Sequence, residues 1–488
     1  MTMSVNEMHL DFDKNLEEYV RQERAATNLI QNIGSLLYEK NIELVLFRNP
    51  LVEVGISELL NLHKYAKSVV NADITVFDTA EIAKELMATD LAPSKIDLGR
   101  LAKEYKDEKS KYASCSEFLK DKLSGLTPDK AIQIEPKDVV LYGFGRIGRL
   151  AARELIKQAG KGQQLRLRAI VTRDKTDEEM IKRAALMQND SVHGTFKGRV
   201  EVDAAKRQMT VNGQIVKFIS TSNPEDVDYT AYGINNAVLI DNTGAFTNRE
   251  ALSRHLKAKG IDKVILTAPG KEIPNIVYGV NHADLDIDNE NIFSAASCTT
   301  NAIVPILKVI NDGFGIEKGH IETVHAYTND QNLLDNFHKK SRRGRSAAIN
   351  MVITETGAGK AVTKVIPELS DKLTANAVRV PTPNGSLAIL SLSLNKEVSV
   401  ETVNSLVRHA ALNGDLVNQI NFQIDPELVS SDIIGNSCCS VFDSNATLVS
   451  NDKRNAVMYV WYDNEFGYTK QVIRLAKYIA KVRRLIYY

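Results

Sequence analysis

Neither charge sign prevails in this chain: 61 lysines and arginines are matched by 61 aspartates and glutamates among 488 residues. That balance removes the net field by which proteins gather on nucleic acids or anionic membranes, so neither is expected as a partner. No apolar run approaches the ~20 residues needed to span a bilayer. Met1 to Lys14 is polar and acidic and lacks the basic-then-apolar order of a signal peptide, which predicts a cytoplasmic protein. Cysteine is scarce. The four present, at 115, 298, 438 and 439, fit neither a disulfide framework nor zinc-ligand spacing, and no metal is expected. The adjacent pair Cys438-Cys439 reads as structural. What remains, 43% hydrophobic and 25% charged, is the make-up of a globular protein with room for two to four domains of ~100–200 residues.

Residues 1–130 have a texture of their own. Phe12, Leu16, Tyr19, Ala26, Ile30, Ile33 and Leu37 follow three-and-four spacing, interrupted at Glu23, which predicts an amphipathic helix over 11–38. The short apolar stretch Ile42 to Phe47 ends at the breaker Asn49-Pro50. Further helical patterns occupy 56–70, 80–88 behind the cap Asp78-Thr79, 98–105 and 116–123. Ser124-Gly125-Leu126-Thr127-Pro128 reads as a linker. This extension has no glycine-rich loop, no clustered histidines and no paired carboxylates. It reads as a mostly helical module for assembly or for a protein partner.

Beyond the linker, strands alternate with helices. Asp138 to Tyr142 reads as a buried strand and leads at once into Gly143-Phe144-Gly145-Arg146-Ile147-Gly148. A helix over 149–158 and a strand over 165–171 follow. In that setting the glycines permit a tight turn and close approach of a pyrophosphate, which the helix N-terminus then receives. Later strands at 238–240 and 264–266 end in Asp241-Asn242-Thr243-Gly244 and Thr267-Ala268-Pro269-Gly270, the small and polar residues expected around a ligand crevice. Farther on, Ser297-Cys298-Thr299-Thr300-Asn301 heads an apolar helical run. A thiol at a helix N-terminus loses its proton more easily, and His325, 27 residues downstream, is a candidate base for it. Four polar neighbours argue against Cys298 being a buried structural cysteine.

Seven segments then follow one another: Gly143 to Arg149, Asn189 to Gly194, Asn242 to Thr247, Ala295 to Asn301, His325 to Gln331, Arg379 to Asn384, and Trp461 to Glu465. Through them, residues 135–488 resemble the phosphorylating glyceraldehyde-3-phosphate dehydrogenases. The resemblance implies an α/β fold: a Rossmann nicotinamide-nucleotide domain over 131–297 and a mixed α/β catalytic domain over 298–464. It also implies that 465–488 packs back on the Rossmann domain as a helix from Lys470 to Tyr488, and that the protein is a homotetramer.

Carried over position by position, the resemblance makes Cys298 the nucleophile and His325 the base that keeps it ionised. Thr328 and Arg379 are implied to hold the substrate's phosphate. Ser297, Arg345, Thr356 and Gly357 are implied to hold the attacking inorganic phosphate, with Thr299 beside the thiol. Cofactor contacts are expected from Gly143, Gly145, Arg146, Ile147 and Gly148, from Thr172 and Arg173, from Thr243, Gly244 and Thr267, and from Asn464 at the carboxamide. Arginine suits such sites because its donor fork matches phosphate oxygens. The alternative for Arg345 is a solvated basic turn, Arg342-Arg343-Gly344-Arg345, and for Arg379 a structural salt bridge.

The chain departs from the family pattern in several places. Tyr142 stands where asparagine is usual, and Asn336-Phe337 where Leu-Pro is common. Thr172, followed by Arg173, stands where NAD-using members carry an aspartate. The expected activity is therefore phosphorylating oxidation of glyceraldehyde 3-phosphate with NAD or NADP, relaxed use standing beside strict NAD should Asp174 take the acidic role. Erythrose 4-phosphate oxidation and a nucleotide-binding assembly protein acting through the extension remain the alternatives.

Overall fold

The computed structural model describes residues 5–488, with side chains from residue 11 onward. The chain forms two compact units, one from the residues up to Ile134 together with Arg483–Tyr488, the other from Glu135–Val482.

In the first unit, helices α1 (Val5–Lys40), α2 (Ile56–Val70), α3 (Val76–Ala88), α4 (Leu98–Glu108) and α5 (Cys115–Lys122) accompany a four-stranded sheet. The sheet holds β1 (Glu43–Leu46), β2 (Asn49–Pro50) and β3 (Ser94–Asp97). Its fourth member is the C-terminal strand Leu485–Tyr487, parallel to β3 with Leu485 opposite Ser94. Leu29, Leu36, Leu44, Ile96, Leu101 and Phe118 form the core between these elements. Along α1 the apolar stripe divides: Ala26, Ile33 and Leu37 are buried, whereas Phe12, Leu16 and Tyr19 are exposed.

The apolar stretch after α1 is a strand. One local expectation changes here: the last helix ends at Ile479 instead of reaching Tyr488. Lys481 adopts a left-handed φ of 55°, which a helix cannot continue through. The strand that follows gives the outer edge of β3 the hydrogen-bond partners it would otherwise lack. Arg484 is buried there, donating to Glu43 at 2.9 Å and to Asn41, while Lys95 pairs with Glu43 at 3.0 Å.

The second unit contains two sheets. The strands of the first, in chain order, are β4 (Lys137–Tyr142), β5 (Leu165–Thr172), β8 (Val200–Asp203), β9 (Gln208–Val211), β10 (Gln214–Ser220), β11 (Ala237–Asp241), β12 (Ile261–Leu266) and β13 (Ile292–Ser294). A separate short hairpin, β6 (Asn189–Asp190) and β7 (Gly194–Thr195), lies between β5 and β8 in the chain. The sheet order is β13-β12-β11-β4-β5-β10-β9-β8, parallel from β13 to β10 and antiparallel beyond. Helices α6 (Arg146–Lys157), α7 (Asp177–Gln188) and α8 (Arg249–Leu256) connect its strands. From β4 the chain builds outward through β5, then returns to the other side of β4 at β11. This is the Rossmann switch point, where the C-terminal ends of neighbouring strands flank a crevice.

The second sheet follows α9 (Cys298–Phe314). It comprises β14 (Ile316–Ala326), β15 (Val352–Thr354), β16 (Leu373–Val380), β17 (Ser386–Leu394), β18 (Ile420–Gln423), β19 (Ser440–Val449) and β20 (Asn455–Tyr462), ordered β15-β16-β14-β17-β20-β19-β18. Short helix α10 (Ala358–Thr363) and α11 (Val400–Leu412) interrupt the strands. Helix α9 is apolar almost all round, and Ala302, Ile303, Ile306, Leu307 and Ile310 are fully buried. The last helix, α12 (Phe466–Ile479), packs on α6 with a buried pair between Lys470 and Glu154.

Arg484→Ala removes charged hydrogen bonds of about 1.5–3 kcal/mol each from the first unit's sheet. Amide exchange over 43–46 and 94–97 should accelerate in that variant. Unchanged protection there would mean that the C-terminal strand does not support the sheet.

Candidate active site

The site starts from a tightly specified turn into α9. Ser297 caps the helix, its hydroxyl accepting the Thr300 N–H at 3.0 Å, and Asn301 Nδ2 donates back to the carbonyls of Ala295 and Ser297. Ala296 is held at φ 56°, its N–H on Ser294 Oγ and its carbonyl taken by the Tyr468 hydroxyl at 2.8 Å. A non-glycine residue in that conformation persists only where its surroundings over-determine it. Cys298 is thereby fixed as the first residue of α9.

His325 lies near the end of β14, in register with Arg379 on the neighbouring parallel strand β16. Its Nε2 is 3.6 Å from Cys298 Sγ. Its Nδ1 is 2.7 Å from the Ala326 carbonyl, which can only accept, and its Nε2 faces the thiol. Arg379 Nη1 donates to the same carbonyl at 3.0 Å and lies 2.8 Å from Nδ1.

Burial and the cations decide the charge of this pair. Burial first, then Arg379 and Arg343, lower the His325 pKa to about 3, against the opposing bond to Ala326. Burial pushes the Cys298 thiol up, while Arg379 and backbone N–H groups pull it down. Burial therefore opposes charge on both thiol and imidazole, where the resemblance implied an ionised pair. Arg379 Nε is buried without a hydrogen-bond partner among the described residues, a donor left for an anion.

The other expected residues divide. Thr299 Oγ1 is 3.1 Å from the Tyr462 hydroxyl, beside the thiol. Thr328 follows β14, and its carbonyl takes the Gln331 N–H. Within the basic turn it is Arg343 that is buried, paired with Asp330 and close enough to act electrostatically on His325 and Arg379. Arg345 is exposed and donates to Asp335 at 3.0 Å. Thr356 Oγ1 accepts the Ala358 N–H at the start of α10, with Gly357 between them. Among the described residues, neither Arg345 nor Thr356 hydrogen-bonds to Cys298, His325 or Arg379. Arg343, Tyr462, Tyr468 and Ser386 belong to the site but were missed. Tyr462 sits inside a recognised motif, whereas Ser386 carries no local signal at all.

The crevice has the shape that a dinucleotide requires. A Cβ on Gly143, whose φ is 91°, would meet Thr243 Cγ2 at 2.9 Å, and one on Gly148 would meet the Gly143 carbonyl at 2.5 Å. Gly145 has open space beside it and caps α6. Side chains are thus excluded from the first and third positions, while the middle one lets a ligand reach the backbone. Ile147 follows, half-buried in the first turn of α6. Across the crevice, Asp241 organises the facing loop. Its Oδ1 accepts the Thr243 N–H and hydroxyl at 2.8 and 2.6 Å, its Oδ2 binds His255, and its carbonyl accepts the Thr267 hydroxyl at 3.0 Å. Gly244 is open, and Asn242 Oδ1 is a buried acceptor without a partner among the described residues. Asn464 Oδ1 accepts from Ser386 Oγ at 2.9 Å, which directs its NH2 group elsewhere as a donor. These groups fit a nicotinamide dinucleotide.

At the end of β5, Thr172 Oγ1 accepts the Asp174 N–H and Arg173 is exposed. Asp174 is gripped by Arg183 through bonds of 2.8 and 3.0 Å. Tyr142 packs edge-on against His255, with ring centroids 4.6 Å apart.

Residues 137–249 match the family model of the glyceraldehyde 3-phosphate dehydrogenase NAD binding domain, and 297–464 that of the C-terminal domain. A glyceraldehyde-3-phosphate dehydrogenase-like protein of Pseudomonas aeruginosa (strain UCBPP-PA14) is 47% identical over 458 residues, covering 93% of this chain and 98% of that protein. The glyceraldehyde-3-phosphate dehydrogenase of Clostridium pasteurianum is 42% identical over 351 residues, covering 71% and 99%. Glyceraldehyde-3-phosphate dehydrogenase 1 of Bacillus subtilis (strain 168) is 42% identical over 344 residues, covering 70% and 98%. The Pseudomonas match therefore runs into the N-terminal extension.

The buried imidazole also predicts a pH dependence. An unfolded chain protonates His325 near 6.5, but the folded one does so only near 3. The unfolded state thus binds an extra proton below about pH 6.5, and stability falls from there towards pH 3. His325→Asn should flatten this part of the profile, read as urea midpoints from Trp461 fluorescence. An unaltered slope would contradict a neutral buried histidine.

Proposed function

The chain belongs to the glyceraldehyde-3-phosphate dehydrogenase family, and from that premise we propose that it oxidises glyceraldehyde 3-phosphate and phosphorylates the product through a thioester on Cys298. The observation that carries this reading is the 3.6 Å approach of Cys298 Sγ, at the head of α9, to His325 Nε2. His325 accepts the thiol proton as sulfur attacks the aldehyde carbon, and returns it to the new alkoxide to give a hemithioacetal. The base then removes the hydroxyl proton as the C–H bond breaks, leaving a thioester. A bound nicotinamide ring supplies the two-electron hydride acceptor. Inorganic phosphate attacks the thioester carbon, and His325 reprotonates the departing sulfur as 1,3-bisphosphoglycerate leaves. The thioester retains oxidation energy that hydrolysis would dissipate, and backbone N–H groups at the head of α9 face the developing oxyanion.

Arg379, with its free Nε, and Thr328 are the proposed holders of the substrate phosphate. Ser297, Thr299, Thr356 and Gly357 are proposed for inorganic phosphate. Arg345 takes part by exchanging Asp335 for phosphate oxygens, whereas Arg343 is a buried cation already present. The cofactor-binding residues would be the glycine loop, Thr243, Gly244, Thr267 and Asn464.

Use of both NAD and NADP is supported by the end of β5. Thr172 is uncharged, Arg173 is exposed, and the carboxylate of Asp174 is already committed to Arg183. Self-association into a homotetramer is supported by exposed apolar residues between β14 and β15, where Leu333, Leu334, Phe337, Ile349 and Met351 are each more than 70% exposed. A cytoplasmic site of action accords with the absence, among the described residues, of any helix long and apolar enough to cross a membrane.

Cys298→Ser should abolish oxidation with nucleotide binding kept, and His325→Asn should slow it by ~10²–10⁴-fold. Phosphate-dependent acyl phosphate release, assayed on glyceraldehyde 3-phosphate and erythrose 4-phosphate, checks the substrate; equal turnover without phosphate would overturn the reading. The wild type should use NADP measurably. Thr172→Asp with Arg173→Pro should lower the NADP-to-NAD ratio of kcat/KM by at least ~10-fold. A wild type that ignores NADP would return discrimination to Asp174.

A further inference from the structure

Helix α6 begins against its own electrostatics. Arg146 and Arg149 both occupy its first turn, which has no acidic residue, so two cations sit at the positive end of the helix dipole. Their charge is balanced from two other segments. Asp190, at the end of β6, accepts from Arg146 Nη1 and Nη2 at 3.1 Å each and lies 3.6 Å from Arg149. Glu465, in the turn after β20, accepts from Arg146 Nε and from Nη2 at 2.5 Å. Both faces of one guanidinium fork are therefore occupied by carboxylates, a charge-assisted arrangement with defined geometry.

The carboxylates are themselves held. Asp190 also accepts the N–H groups of Val192 and His193 at 2.9 and 3.0 Å. His193 Nε2 donates to Glu465 at 2.9 Å. Burial pushes the Glu465 carboxyl up, but His193 and Arg146 bring it below its usual range, so it stays ionised. Asp463 Oδ1 accepts the N–H groups of Glu465 and Phe466 and the side-chain amide of Asn384. Between Asp463 and Glu465 stands Asn464.

We propose that Arg146, Asp190, His193 and Glu465 form a positioning clasp that sets Asn464 relative to the glycine loop. Arg146, expected to touch the cofactor, acts instead through Glu465, and the loop N–H groups remain available to a pyrophosphate. Ser386 fixes the Asn464 amide from one side, and the clasp fixes its backbone from the other. The inference rests on Asn464 as the carboxamide contact.

The test separates the two ends of the ligand. Dissociation constants for NAD and for ADP-ribose, which lacks the nicotinamide, are measured by titration calorimetry on the full chain. Asn464→Ala checks the premise: it should weaken NAD and leave ADP-ribose unchanged, and equal affinities for NAD in variant and wild type would overturn the reading of Asn464 itself. Given that split, Glu465→Gln should weaken NAD by at least ~10-fold while ADP-ribose changes less than ~2-fold. Arg146→Lys keeps the charge, loses the fork, and should behave alike; it carries the test if Glu465→Gln does not fold. Equal weakening of both ligands, or of neither, in the folded variant would overturn the clasp.

Discussion

The backbone of Ala326 ties the parts of this site together. Its carbonyl lies 2.7 Å from His325 Nδ1 and accepts from Arg379 Nη1, and its N–H donates to Ser386 Oγ. Ser386 in turn donates to Asn464. The two backbone groups of one residue thus locate the imidazole, the Arg379 guanidinium and, through one hydroxyl, the Asn464 amide. Because buried backbone polar groups must be paired, each of these side chains is held by a bond that is costly to leave unmade.

Charge in the pocket follows from the same burial. Burial opposes ionisation of Cys298 and His325 alike, and Arg379 favours the thiolate while disfavouring the imidazolium. A bound anion on Arg379 would reduce that second effect. The unpartnered Nε of Arg379 gives such an anion a place. Burial thus opposes charge on either member of the pair. General-base catalysis needs no standing ion pair.

The Rossmann half is organised by carboxylates that serve the backbone. Asp241 gathers Thr243, Thr267 and His255, and Asp190 and Glu465 neutralise the cations at the head of α6. Buried charges of this kind are tolerated because every one has a partner of opposite sign or a hydrogen bond. In the first unit Glu43 plays a similar part between Lys95 and Arg484.

The sequence by itself determined the class of fold, the glycine loop and the thiol–histidine pair, since these depend on local periodicity and on contiguous motifs. Gly148 could be read because its constraint is steric and lies within the motif, against the Gly143 carbonyl. It also marked 1–130 as a module without catalytic groups. It did not disclose that this module contains a sheet, because β1, β3 and the strand Leu485–Tyr487 are four residues or fewer and the last pairs across most of the chain, Leu485 opposite Ser94. Only the tertiary structure decided that Arg343 is buried by the catalytic pair while Arg345 pairs with Asp335, as two arginines two positions apart share the same sequence signal. The hydrogen bonds of Ser386, Tyr462 and Glu465 likewise reach partners 60 to 319 residues distant. Such hydrogen bonds have no period and no motif; they exist only once the strands are in register.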